Sequence, residues 1–425
     1  MSERVPIEPR VQARLREIGE VDLLVGIPSY NNARTIPHVV RAVTAGFAKY
    51  FPGLRAVCVN SDGGSTDGTP EAVASADFST PAAILVAHKL RPVHKILTPY
   101  HGIPGKGSAF RTIFAIAESL AAKACAVVDA DLRSITPEWV ELLLGPILQQ
   151  GFDYVAPLYL RHKYDGTITN SIVYPLTRAL YGKDIRQPIG GDFGFSGHLA
   201  SHYLKKPVWE SNVARFGIDI WMTTTAIADG FRVCQSFLGA KIHDAKDPGT
   251  DLANMFVQVV GSVFDLMETY ERQWTAVDCA TAVPLFGFPH GVGLEPVNVN
   301  VERMKGILRR GAEDLAEIWA SVLPAKTLGE VVSVPRSNPF DFPDSLWVRA
   351  VYDFAVAYRR RVLPPEQVLR SLVPLYLGRT ASFVLAAADS DAEQVEAVIC
   401  RLANEYVRQK PYLKTRWSRP TRREG

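Results

Sequence analysis

Four times within the first 130 residues a short apolar run halts at a polar or chain-breaking position. The runs are Val21 to Pro28, Ala56 to Asn60, Ala82 to Ala87 and Ala124 to Val128. Runs this short and this continuously apolar suit strands buried on both faces, as in a parallel sheet. Between them lie helical spacings: Ile36 to Tyr50, with Val39, Val40, Val43 and Phe47 on one face, and Gly107 to Lys123. Strand and helix in alternation predict an open α/β sheet covered on both faces. Ligands of such sheets bind just beyond the carboxyl ends of the strands. The polar residues of this half gather there, at Pro28-Ser29-Tyr30, Ser61-Asp62 and Asp129-Ala130-Asp131.

A different pattern takes over after about residue 250, where long helical periods follow one another. Asp251 to Tyr270, Val301 to Val322, Leu346 to Arg361, Pro365 to Leu377 and Asp391 to Gln409 all fit. The expected organisation is an α/β catalytic domain over 1–250 and an all-helical domain over 251–425, with 411–425 a basic tail. At roughly 150 residues per domain, 425 residues accommodate that division. A 21% charged, 47% hydrophobic composition excludes wholesale disorder and fibrous repeats. The apolar stretches fall short of the ~20 residues of a membrane-spanning helix, and the charged start carries no secretory signal. Five scattered cysteines without a CxxC read as buried thiols in a reducing, cytoplasmic compartment. Eight Lys/Arg against two acids between Arg401 and Gly425 read as a solvated end. No basic stripe is interleaved with aromatics, so nucleic acid is not the expected partner.

Several constellations can carry chemistry. Asp129 and Asp131 alternate along an extended segment and could address one ligand; two close carboxylates favour a divalent cation. An ordinary loop acid explains either one equally well. Lys106, between two glycines at a helix start, offers a full charge where backbone can approach an anion. A tight turn with a solvated lysine is the bland alternative. Ser61 or Asp62 could bond a base or ribose edge, whereas Asp67 only organises the turn. Asp219, framed by Phe216 and Trp221, must be paired or raised in pKa. His243 with Asp131 would complete a mixed oxygen and imidazole metal site.

In order and company these pieces form a known series: Pro28-Ser29-Tyr30-Asn31-Asn32, Ser65 to Thr69, Gly105-Lys106-Gly107, Asp129-Ala130-Asp131, Gln187 to Asp192, Gly217-Ile218-Asp219 and His243. The series resembles nucleotide-sugar glycosyltransferases of the GT-A fold, most of all the retaining mannosylglycerate synthase and glucosyl-3-phosphoglycerate synthase type. The motifs cover about residues 20–250, and Phe340-Asp341-Phe342 with Trp347 extends the resemblance weakly beyond. It implies a Rossmann-like nucleotide-diphospho-sugar transferase domain followed by a helical one. The implied activity is a metal-dependent hexosyltransfer from GDP- or UDP-hexose to a small carboxylate acceptor, glycerate or 3-phosphoglycerate.

The same resemblance implies roles. Pro28, Tyr30 and Ser61 or Asp62 would line the nucleoside pocket, with Ala130 and Gln187 also on the donor side. Lys106 would meet the diphosphate, and Asp131 and His243 would hold Mg or Mn. Asp129 would act on the ribose or the metal's water shell, and Asp219 would bind donor-sugar hydroxyls. Gly190, Gly191 and Asp192 would frame sugar and acceptor, with Thr169 on the acceptor's carboxylate. The chain departs from the pattern by one extra residue in Ser61-Asp62-Gly63-Gly64-Ser65 and by Asp244-Ala245-Lys246 after His243. A nucleotidylyltransferase and a non-catalytic sugar-nucleotide-binding scaffold are the competing readings. The apolar stripes of the helical half lead us to expect a homo-oligomer.

Overall fold

Strands form where the apolar runs end on turn-forming residues, and helices form where apolar positions recur every three or four residues. The computed structural model describes residues 5, 7–76, 94–99, 103–243, 252–291 and 293–418. In chain order the first part holds α1 (Pro9–Ile18), β1 (Leu23–Ser29), α2 (Ile36–Tyr50), β2 (Ala56–Asp62), α3 (Thr69–Ser75), β3 (His94–Pro99), α4 (Lys106–Ser119), β4 (Ala124–Val127), α5 (Glu138–Gln150) and β5 (Tyr154–Leu160). Next come α6 (Tyr174–Tyr181), β6 (Lys183–Asp184), β7 (Phe193–Ser196), α7 (Gly197–Leu204), α8 (Ile218–Ala228) and β8 (Val233–Ala240). The remainder is α9 (Leu252–Thr269), α10 (Glu271–Ala276), β9 (Thr281–Ala282), β10 (Leu285–Phe286), α11 (Val301–Asp314), α12 (Ala316–Val322), α13 (Ala325–Ser333), α14 (Asp344–Arg359), α15 (Pro365–Ala386) and α16 (Ala392–Ser418).

Among the described residues the main sheet runs β10-β8-β5-β7-β4-β1-β2-β3. Neighbours are parallel except at β7, which is antiparallel to both β4 and β5. Strand β1 lies between β2 and β4, so the strand order reverses there, which is where an open α/β sheet leaves a crevice. The carboxyl ends of β1, β2 and β4 therefore deliver Ser29, Asp62 and Asp129 to one place. Leu23, Val25 and Ile27 pack with Val39, Val43 and Phe47 of α2 and with Val140 and Leu144 of α5. Each such side chain, fully buried, is worth about 1.5–3 kcal/mol, so the strand ends rest on a stiff base.

The chain divides into two interleaved compact units. The α/β unit comprises Met1–Arg161, Ile185–Asp244 and Val283–Glu295; the helical unit comprises His162–Asp184, Ala245–Ala282 and Pro296–Gly425. This replaces the single cut at 250. The reason is local: Lys163 donates to the terminal carbonyls of α15, Ala387 O at 2.8 Å and Ala388 O at 2.7 Å, and α6 packs on α16. Conversely β10 returns to pair with β8.

Other expectations need adjustment. The proposed third strand, Ala82 to Ala87, lies outside the described residues; the described third strand is β3. The long period from Val301 to Val322 is two helices, α11 and α12. The helical unit also carries the small β6–β9 pair, so it is not purely helical. Cys58, Cys125 and Cys234 are buried, but Cys279 and Cys400 are exposed. Residues 411–418 are no loose tail, because α16 continues to Ser418. Its Lys410 is buried against the carbonyls of Ala179 and Val277, and Arg416 donates to Asp353 at 3.0 Å. By length and composition α15 alone among the described helices could cross a membrane, yet 72% of its apolar window is buried. It is a core helix of its unit.

Candidate active site

Lys106 opens α4, and the glycine after it fixes where that helix begins. A Cβ on Gly107 would run into the carbonyl of Val213, and one on Gly105 would meet Ala214. The Gly107 N–H donates to Arg215 O at 3.2 Å. That same 213–217 segment leads into α8, whose first turn carries Asp219. Close packing of two backbones thus brings Lys106 to Asp219, with Nζ 3.2 Å from Oδ1 and 3.3 Å from Oδ2. Lys106 also pairs with Asp129 Oδ1 at 2.8 Å.

A second ammonium completes the centre. Lys241, just past β8, has a side chain only 4% exposed. Its Nζ makes three contacts of 2.7 Å, to Asp129 Oδ2, Asp192 Oδ2 and the carbonyl of Gly190. Asp192 is fully buried, accepting also from the Asp129 N–H at 2.7 Å and, at close range, from the Tyr159 hydroxyl. Gly191 bends the chain at φ +95°, and a Cβ there would strike the Asp129 carboxylate. Arg161 lies over the ring of Tyr159, 5.4 Å from its centroid.

His243 reaches Asp131 by backbone pairing. Leu132 and His243 form an isolated antiparallel bridge, reinforced by Arg133 N donating to Ile242 O at 2.9 Å. Imidazole and carboxyl are close enough for their charges to interact. Asp129 and Asp131 do not share a strand face, because β4 ends at Val127 and the pair lies in a turn. Asp129 turns to the two lysines.

Electrostatics follow from this packing. Burial disfavours the Lys106 charge, but Asp129 and Asp219 outweigh it and raise its pKa. Lys241 behaves alike, with Asp129 and Asp192 overcoming burial. Burial would raise Asp129, but the two lysines hold it well below the usual carboxylate range. Asp219 stays raised by burial despite Lys106, and Asp131 is raised by burial and then by Asp129. Four carboxyl groups thus face two lysines at the heart of the cluster.

The other expected residues divide. Pro28 and Ser61 stand opposite each other at the ends of β1 and β2. Ser61 is fully buried, its hydroxyl without a hydrogen-bond partner. Tyr30 is 63% exposed. Asp62 is committed to its own turn, accepting from Ser29 Oγ, Gly64 N, Ser65 N and Ser65 Oγ at 2.6–2.9 Å. Gln187 braces β5 by exchanging two bonds with the Tyr159 backbone. The Ala130 carbonyl accepts from Thr35 Oγ1 at 2.8 Å. Asp192, expected to frame the acceptor, is fully buried and bonded to Lys241. Thr169 heads a π-turn, Thr169–Val173, in the helical unit. Lys241 and Tyr159 are what the sequence reading missed. The only advance signal was a lysine two residues before His243, at a strand end.

Residues 24–197 match the sequence model of glycosyl transferase family 2. That span runs from β1 through β7 and includes Lys106, Asp129, Asp131 and Gly190 to Asp192. Among the described residues the α/β unit has the eight-stranded, mainly parallel sheet covered by helices that the resemblance leads one to expect. Solved structures similar to the chain include glucosyl-3-phosphoglycerate synthase from Mycobacterium tuberculosis with Mn2+, UDP and glucosyl-3-phosphoglycerate. It is 21% identical with TM-score 0.45, covering 60% of this chain and 83% of that one. The same enzyme with Mn2+, UDP-glucose and phosphoglyceric acid gives 20% identity and TM-score 0.44, covering 63% and 86%. No curated protein matches the chain.

Proposed function

We propose that this chain is a divalent-cation-dependent hexosyltransferase. It moves glucose or mannose from UDP- or GDP-hexose to D-glycerate or 3-phosphoglycerate, making a glucosylglycerate- or mannosylglycerate-type compatible solute. The single observation that carries the reading is the backbone pairing that brings His243 to the Asp131 turn just past β4, at the point where the strand order reverses. The family match over 24–197 supports the donor class.

The residues fit a cation bound with a diphosphate. Among the described residues no group of three His, Cys, Asp or Glu is arranged to hold a metal alone. Asp131 and His243 supply one hard oxygen and one imidazole, which leaves coordination positions for phosphate oxygens. The excess of carboxyl groups over lysines in the cluster leaves negative charge for a cation to balance. When bound, the cation stabilises charge developing on the departing diphosphate.

Lys106 adds a full positive charge on the same leaving group, where charge develops in the transition state. Asp219, buried and aimed at Lys106, accepts from sugar hydroxyls and fixes the hexose. Orientation of the acceptor hydroxyl against the anomeric carbon contributes about several kcal/mol. Among the described residues Asp129 and Asp192 are engaged by Lys241. On the resemblance to the retaining enzymes, attack comes from the leaving-group face, the acceptor's proton passes to the departing diphosphate oxygen, and the anomeric configuration is retained.

Incubation with each NDP-hexose, Mn2+ or Mg2+ and both acceptors tests the reading by NDP release. Turnover should appear with one donor and fall at least about a hundredfold in Asp131→Ala. Pyrophosphate release in place of NDP would indicate nucleotidyl transfer. Proton NMR of the product should show an α-linkage; a β-linkage excludes retention.

A further inference from the structure

We infer that Lys241 is a positioning residue that keeps Asp129 neutralised so that Lys106 can transfer to the donor's diphosphate. The inference rests on the functional reading above. Asp129 is held from both sides, its Oδ1 2.8 Å from Lys106 and its Oδ2 2.7 Å from Lys241. Lys106 pairs with both Asp129 and Asp219. Any diphosphate that recruits Lys106 must take it from those carboxylates. A buried carboxylate stripped of its only cation carries a large penalty, which would count against donor binding. Lys241 removes that penalty, since Asp129 retains one full ion pair after Lys106 leaves.

Lys241 is built to stay. Its three partners are Asp129, Asp192 and the Gly190 carbonyl, and Asp192 is in turn fixed by the Asp129 N–H and the Tyr159 hydroxyl. Its side chain is 4% exposed against 14% for Lys106, and it lies 5.3 Å from the centroid of the Tyr159 ring. Of the two ammoniums, Lys106 is the one a ligand can reach, and its bonds to Asp219 and Gly191 O are longer, at 3.2–3.4 Å. One lysine is a fixed counter-ion and the other a transferable one.

Lys241→Met alone leaves the buried Asp192 without its ion pair, while Asp129 keeps Lys106, and can compromise folding. The paired variant Lys241→Met/Asp192→Asn removes one charge of each sign and keeps the fold testable. The readouts are the dissociation constants of UDP and of GDP with Mn2+, the acceptor KM and the melting temperature, counted per folded molecule. The paired variant should bind the nucleotide that wild type prefers at least about tenfold more weakly, with acceptor KM unchanged within about twofold. Lys241→Arg, which restores the charge, should recover most of that loss. Nucleotide affinity unchanged in the paired variant, or acceptor KM rising in step with donor binding, overturns the inference. Wild type binding neither nucleotide would instead remove the donor reading itself, a separately recognisable failure.

Discussion

At the residue scale, the centre is a small ionic lattice in which each charge has a stated neighbour. Gly191 shows how tightly it is drawn: at φ +95° with Asp129 where its Cβ would be, no other residue fits without displacement. Gly191→Ala should cost about 1–3 kcal/mol of stability, read as a lowered melting temperature, and should weaken donor binding. Unchanged melting and donor KM would show that the Asp129 geometry tolerates movement. Asp131, Asp219, Lys106 and His243 stand out in the sequence by residue type and by position beside strand ends or helix starts. Lys241, Tyr159 and the hydrogen bonds of Asp192 and Gln187 do not. Their partners lie 28 to 112 positions away in the chain, and nothing local distinguishes a buried lysine at a strand end from a solvated one.

Elements were legible where one physical signal dominated. Helix α2 runs over the predicted Ile36–Tyr50, since its apolar face meets β1 and α5 with no competing breaker. The break between α11 and α12 was invisible, because Asp314 and Leu315 interrupt no periodicity that the sequence displays. The end of the chain was misread because its charges suggested solvent. In α16 they are satisfied inside the helical unit, where Asp353, buried on α14, accepts from Tyr412 at 2.8 and 2.9 Å and from Arg416 at 3.0 Å. Burial raises the Asp353 pKa to about 6 from an ordinary 3.8, against the opposing pull of Tyr412 and Arg416. Between those values the folded state holds a proton that the unfolded state has lost, so stability falls as pH rises from about 4 to about 6. The change amounts to at most about 3 kcal/mol. Melting curves across that window should slope downward for wild type relative to Asp353→Asn; parallel curves would reject the assignment.

At the scale of the whole molecule, the alternation of strand and helix gave the α/β class directly. What the linear pattern withheld was the interleaving, in which 162–184 joins the helical unit and 283–295 rejoins the sheet. Hydrophobic periodicity reports which face of an element is buried, not which element covers it. We expect the 46.8 kDa chain to associate with copies of itself, so light scattering should give at least twice that mass; a monomeric mass rejects it. The central claim is narrower, that Asp131 and His243 share one cation that carries the donor's diphosphate. Anomalous diffraction from crystals grown with Mn2+ and UDP or GDP tests it most directly. One peak should lie within bonding distance of the Asp131 carboxylate, the His243 imidazole and the nucleotide's phosphate oxygens. A peak elsewhere, or one that His243 does not touch, contradicts it.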